Sequence, residues 1–286
     1  MIRPSLLPRV RDRAATLLAD PTSTLRRHVE LPADVAELTA RHLHGELYWM
    51  SADMTALAVS AAADLDTVRW SAQDRHAGMG LLVADGGMGQ LQLDPTTAAP
   101  VAAVSWGPAP GGLLLWLWLD RSHLAAAAAR GGVWLDPEEV PPLLPMIGEV
   151  LPVTVEPQPV GDIPARVRTI ATTVWAAWQL MQQPTLADRT PAPIDRRITR
   201  AYARAARPAP EVTIVDLRHL YRPPDPDREP EEPGRTYRHR WVVRGHWKNA
   251  WRPSVQQHRR IWVPAYVKGP DGAPLLQRER VNVWRR

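Results

Sequence analysis

Cysteine is missing from all 286 residues, which excludes disulfides, thiolate metal sites and a cysteine nucleophile. Phenylalanine is missing too, and thirteen tryptophans carry the large aromatic role in its place. Lysine is almost absent: Lys248 and Lys268 are the two in the chain, and the other basic residues are arginine. With Ala, Pro and Trp abundant, this reads as the codon bias of a GC-rich genome, so arginine by itself is no sign of a ligand site. No long apolar run occurs. The longest, GGLLLWLWLD, falls far short of crossing about 30 Å of hydrocarbon, so no membrane partner is expected. The amino-terminal stretch MIRPSLLPRVRDRAATLLAD lacks a continuous apolar segment and a small-residue cleavage site, and the expected location is the cytoplasm.

Recognisable catalytic signatures are equally scarce. The nine histidines show no H-E-x-x-H spacing, so neither a metal site nor a cofactor is expected. There is no G-x-S-x-G and no Ser, His, Asp arrangement, and Glu138-Glu139 sit in a proline-rich stretch without an accompanying base. DGGMGQ lacks the order of a phosphate-binding loop and reads as a turn between strands.

What is present is a strong asymmetry of charge. Residues 235–286 hold thirteen Lys/Arg against two Asp/Glu, a balance of +11, whereas residues 1–234 hold 22 against 28, a balance of −6. Between the halves runs YRPPDPDREPEEPG, residues 221–234, whose prolines break regular ladders and whose acids outnumber its bases; it reads as an extended, solvated linker. The expected organisation is an α+β domain over residues 1–220, the linker, and a small β-rich basic module over 235–286.

Helical spacing with a stop signal predicts helices over 8–19, 31–43, 163–183 and 194–206. Another should start at a Ser51 or Asp53 cap and run to about Ala63, and a short one should follow Asp120 up to the Gly131-Gly132 stop. The runs GLLVA and GQLQL around Asp85-Gly86-Gly87, and VAAVSW and LLLWLWL around a Pro-Gly turn, suggest an antiparallel sheet. Trp106, Trp116 and Trp118 alternate along their strands and are read as core. LPVTVEP is an edge-strand candidate and EVTIVDLR a buried strand, with further strands near 237–247, 260–267 and 280–284.

In the basic module, charges and aromatics coincide. RGHWKNAWRPSVQQHRRIWVPAYVKG carries three tryptophans, two histidines and six Lys/Arg with no acid. If residues 238–247 form one strand, Arg238, Arg240, Arg244 and His246 share a face and Trp241 and Trp247 take the other. With Lys248, Arg252, Arg259 and Arg260 nearby, such a face suits phosphates, whose neutralisation releases counterions. Exposed Trp251 or Trp262 would stack unpaired bases at about 1–3 kcal/mol each. His246 and His258, with Arg244, Lys248 and Tyr266, also supply the ingredients of metal-free RNA cleavage, one imidazole as base and the other as acid, provided that they converge. A solubility role for the arginines, or docking on an acidic protein, are the plainer alternatives.

The elements RGHWKN and HRRIWVPAYVKG resemble a carboxyl-terminal module of phage, plasmid and actinobacterial proteins, a few of which are similar to type V anti-CRISPR proteins that lower their target nuclease during its synthesis. The resemblance covers about the last fifty residues, and this chain departs from it at Lys248-Asn249, where Arg followed by a basic or polar residue is usual. It implies that Arg244, His246, Trp247, Ile261 and Trp262 belong to a shared functional surface, in a mobile-element or host-interference setting. Across the rest of the chain, YWMSADMTAL, AVSWGP, LLLWLWLDR, WQLMQQPTLADR and EVTIVDLRHLY are similar to proteins of actinobacteria and their phages. The expectation is thus a binding protein whose basic module contacts RNA or another nucleic acid while the larger domain recognises a protein. The alternatives are a metal-independent ribonuclease and a protein-binding inhibitor indifferent to nucleic acid.

Overall fold

The computed structural model describes residues 2–23, 25–26, 31–63, 65, 69–71, 74–94, 97–130, 140–153, 158–218, 241–243, 245–252, 256–263 and 266–268. The linker 221–234 and the strand expected at 280–284 lie outside them. The chain divides into two compact units, Met1–His219 and Leu220–Arg286.

In the first unit, α1 (Leu7–Ala19) and α2 (Ala33–His42) precede β1 (Glu46–Met50) and α3 (Ala52–Ala62). A short β2 (Arg69–Trp70), then β3 (Gly80–Ala84), β4 (Gln90–Asp94), β5 (Thr97–Ala109) and β6 (Gly112–Asp120) follow, leading into α4 (Arg121–Arg130). The unit closes with β7 (Leu143–Leu151), β8 (Gln158–Pro159), α5 (Ala165–Met181), β9 (Ala187–Pro191), α6 (Arg196–Arg204) and β10 (Val212–Leu217). The α+β class expected from the residue pattern is what the chain adopts.

The main sheet has the strand order β7-β6-β5-β3-β1-β10-β9, with β4 also paired to β5. Its flanks are antiparallel, but at its centre β1 runs parallel to both β3 and β10. The Asp85-Gly86-Gly87 turn does not close a hairpin. Strands β3 and β4 instead lie end to end along β5, with Leu82 opposite Val104 and Leu91 opposite Ala99. Gly86, Gly87 and Gly89, all at positive φ, carry the chain through the interruption. The edge strand begins at Leu143, earlier than LPVTVEP, and residues 154–157 of that stretch lie outside the described ones.

Alternation along the strands sorts the core into two layers. Leu47, Leu81, Val83, Trp116 and Trp118 pack with Leu7, Val10, Leu18 and Leu43 of the α1–α2 side. On the opposite face Tyr48 stacks on Trp106, whose ring meets Trp178 of α5 edge-on at 5.2 Å. Helix α5 is buried on every side from Ile170 to Trp178, which is why its sequence is apolar all round. Ser51 caps α3 as expected, its hydroxyl accepting from the Met54 backbone N–H. The three sheet tryptophans are core residues, at 0%, 5% and 0% exposure for Trp106, Trp116 and Trp118.

Two of these indoles lie flat against glycine. Trp106 is paired in register with Gly80, and Trp116 with Gly148. A Cβ on Gly80 would stand 2.9 Å from Trp106 Cζ2, and one on Gly148 would stand 2.7 Å from Trp116 Cζ2. The rigid rings cannot yield by rotamer change, so only glycine fits. Substituting Gly148→Ala should therefore lower the urea midpoint, by about 1–3 kcal/mol of stability with unchanged m-value. Gly161→Ala, where an added Cβ meets nothing within 4 Å, should leave the midpoint in place.

A second prediction concerns His42, 1% exposed beneath β5, with Nε2 donating to the Pro108 carbonyl at 3.0 Å and Nδ1 buried without a hydrogen-bond partner among the described residues. Burial holds its pKa below the ordinary imidazole value; the Pro108 carbonyl opposes this and Arg41 reinforces it. His44 and His76 are lowered as well, chiefly by burial. An unfolded chain takes up these protons near about pH 6.5 while the folded one resists, so stability is full above that value and is lost as the pH falls below it. Thermal midpoints measured between about pH 7 and pH 5 should decline, and His42→Gln should flatten part of that decline.

Candidate functional site

The second unit is built on one long hairpin. Its described strands are β11 (Trp241–Val243), β12 (His246–Arg252), β13 (Gln257–Val263) and β14 (Tyr266–Lys268). Val243 pairs with Tyr266 and His246 with Val263, so the β11–β14 and β12–β13 ladders keep a single register and form the two ends of one antiparallel ribbon. The ladder is interrupted around Gly245, where one continuous strand was expected.

Gly245 explains the interruption and the spacing of the tryptophans around it. Trp262, on the opposite strand, lies over it so closely that a Cβ would stand 2.5 Å from Trp262 Cζ2. Trp247 meets the same indole edge-on, with centroids 5.2 Å apart. This knot is the module's own core, since Trp262 is only 4% exposed and its Nε1 finds no hydrogen-bond partner among the described residues. Two register steps toward the tip stand Asn249 and Arg260, then Trp251 and His258. Trp251, at 53% exposure, is inclined against the His258 ring at a centroid distance of 5.0 Å. One face of the ribbon thus grades from the buried Trp262 with the half-buried Trp247 to an open indole–imidazole pair about 13 Å further on, with an amide and a guanidinium between them.

The opposite face carries His246, Lys248 and Ala250 beside Ile261 and Val263, with both His246 and Lys248 exposed. Arg259 and Arg252 stand at the register positions paired with Ala250 and Gln257. Arg238, Arg240 and Arg244 lie outside the described residues.

Two expectations need correction. Trp262 is not a platform for bases: it is buried, because the Gly245 backbone offers it a flat seat and Trp247 closes its edge. His246 and His258 do not converge. They sit on opposite faces of the ribbon, and the register separates them by five positions, about 17 Å along the strands. An acid and a base so placed cannot serve one phosphate, so the hairpin lacks the geometry for the cleavage chemistry that those residue types invited.

The first unit has features that no sequence motif announced. At the carboxyl ends of β1, β3 and β6 lies a cleft of about 330 Å³ whose lining includes Ile2, Trp49, Val83, Asp85, Asp120 and His123. The β3–β4 interruption opens it, and Asp120 caps α4 there by accepting from the Ser122 backbone and hydroxyl. An apolar floor with two carboxylates suits an apolar group bearing a positive charge. At the opposite end of the parallel strands, Tyr48 donates to Glu46, and Arg189 approaches His76 Nε2 at 2.8 Å. Burial first, then the Glu46 hydrogen bond, drives the Tyr48 pKa upward, which keeps the phenol protonated. No group of three or more potential metal ligands occurs among the described residues.

No protein-family model and no curated protein matches this sequence. Among solved structures, the chain is similar to the crystal structure of AcrVA2, with a TM-score of 0.40 and 13% identity over 93% of this chain and 86% of that one.

Proposed function

We propose that the carboxyl-terminal hairpin binds single-stranded RNA, and that the protein acts by binding and not by catalysis. The observation that carries this reading is Trp251: a half-exposed indole held against His258 at the open end of a ribbon in which Trp262 is sealed. A core would bury it and a solubility tail would not contain it. Base stacking on such a platform is tolerant of sequence, and Asn249 and Arg260 beside it offer an amide and a guanidinium for base edges or phosphate. Lys248 and His246 on the other face, in a segment with no acidic residue, supply the charge that draws the backbone in. The resemblance of the R-G-H-W and I-W-V elements to modules of mobile-element proteins supports a host-interference setting for this activity.

The test is equilibrium binding of the full chain to a mixed-sequence single-stranded RNA across a salt series. Trp251→Ala should weaken binding by about 1–3 kcal/mol, roughly fivefold to 150-fold, with little change in salt slope. Lys248→Ala should instead reduce the slope by about 0.7, the share of one phosphate on a single strand. An affinity untouched by Trp251→Ala would refute the stacking role, and indifference to RNA at low salt would favour the protein-binding alternative. Metal-free RNA cleavage abolished by His246→Ala would overturn the non-catalytic reading.

A further inference from the structure

We propose that the outward face of α6, in the first unit, is a second phosphate-tracking surface that binds the backbone of a nucleic-acid strand. It stands on observations independent of the hairpin. From Arg196 to Arg207 the chain has five arginines and no carboxylate, whereas the rest of residues 1–219 holds fifteen arginines against 23 acids. In an otherwise acidic unit this is a local concentration of positive charge, and the fold turns it outward.

Helix α6 buries only Ile198 and Tyr202, four residues apart on its inner side. The Tyr202 hydroxyl donates to Asp12 and accepts from Arg11 Nη2 at 2.9 Å, which ties the inner side to α1. All other residues of the helix are exposed. Arg11, Arg41, Arg166 and Arg218 each hold a carboxylate, but Arg196, Arg197, Arg200 and Arg204 make no ion pair among the described residues. Asp195 accepts from the Arg197 backbone N–H as the helix cap, and Asp12 accepts from the Tyr202 hydroxyl. At the carboxyl end, Ala206 takes positive φ, and the Ala206 and Arg207 backbone N–H groups bond back to Ala203 and Tyr202. That turn returns Arg207 over the Tyr202 ring, 5.6 Å from its centroid, so it packs toward the inner side and the outward face carries Arg196, Arg197, Arg200 and Arg204.

The geometry favours a phosphate backbone over a protein. Arg196, Arg200 and Arg204 recur every fourth residue, a rise of about 6 Å per step, close to the separation of successive phosphates along a strand. Guanidinium groups match phosphate oxygens in pairs of parallel hydrogen bonds. Between the arginines stand Thr199, Ala201 and Ala203, small enough to let a strand approach the helix. A protein interface would add an apolar centre, and none of the exposed large apolar side chains lies on α6.

The experiment compares the full chain with Arg196→Gln/Arg200→Gln/Arg204→Gln, with the triple Lys counterpart, with Trp251→Ala, and with the Gln triple combined with Trp251→Ala, in the same RNA salt series. The Gln triple should lower the salt slope by about 2, three phosphates at 0.7 each, and weaken low-salt binding at least tenfold. The Lys triple should keep the slope. Circular dichroism and thermal midpoints report whether each variant is folded; should the Gln triple not fold, the Arg200→Gln single variant should still lower the slope by about 0.7. An unchanged slope in the folded variants overturns the proposal, as does equal binding of polyglutamate and RNA. A slope lost in the Gln triple while Trp251→Ala has no effect would uphold α6 and refute the hairpin; the reverse pattern would do the opposite. A full chain that binds no RNA at low salt would overturn both.

Discussion

An indole laid against a glycine is the contact on which both units depend. Trp106 over Gly80 and Trp116 over Gly148 lie on opposite faces of the main sheet, and Trp262 over Gly245 forms the knot of the hairpin. With no phenylalanine in the chain, tryptophan fills the large aromatic positions, and where its ring lies over a neighbouring strand's backbone there is no room for a Cβ beneath it. The missing side chain makes room for the ring, and the ring in turn shields a stretch of backbone that glycine leaves bare. Because a one-residue slip would put a Cβ beneath the ring and turn each strand inside out, the pair also holds the register. Sheet order, and with it the cleft and the two helix layers, follows from strands pinned in this way.

Charge is distributed by a different rule. In the first unit the buried Arg11 is matched by Asp12, Tyr202 and the Leu43 carbonyl, since an unpaired cation at 3% exposure would carry a heavy desolvation cost. Exposed arginines bear no such requirement, and those of α6 hold no carboxylate among the described residues. The hairpin combines the two economies: its indoles are sealed at one end and open at the other, with basic groups alongside. Stacking and counterion release are separable contributions to nucleic-acid affinity, one nearly independent of salt and the other governed by it.

Much of the secondary structure was legible because it rests on local chemistry. The Ser51 cap, the apolar stretch of α5 between Pro164 and Pro184, and the Pro-Gly turn joining β5 to β6 each act within a few residues. The parallel centre was not. No strand is expected over β1, nor over β9, an antiparallel edge strand whose largely exposed ADRTP displays no apolar run. Strand β1, covered on both faces, has no alternation to display, and its parallel pairing with β10 joins segments more than a hundred residues apart. The run of six Lys/Arg with three tryptophans suggests one role for Trp262 and Trp251, whereas the fold buries the first and leaves the second exposed.

The amino-acid sequence by itself determined the composition-level properties: no thiol chemistry, an arginine-rich carboxyl end with only two acids, helices where caps and stops are local, and tryptophans at strand positions. Only the tertiary structure decided which indole is open and which is sealed, that His246 and His258 face apart, and that the α6 arginines make no ion pair among the described residues. The physical reason is the same in each case. Composition and periodicity are properties of neighbours along the chain, whereas exposure, convergence and pairing depend on what a distant strand or helix places opposite, and a single glycine across the ladder is enough to bury one tryptophan while leaving another in water.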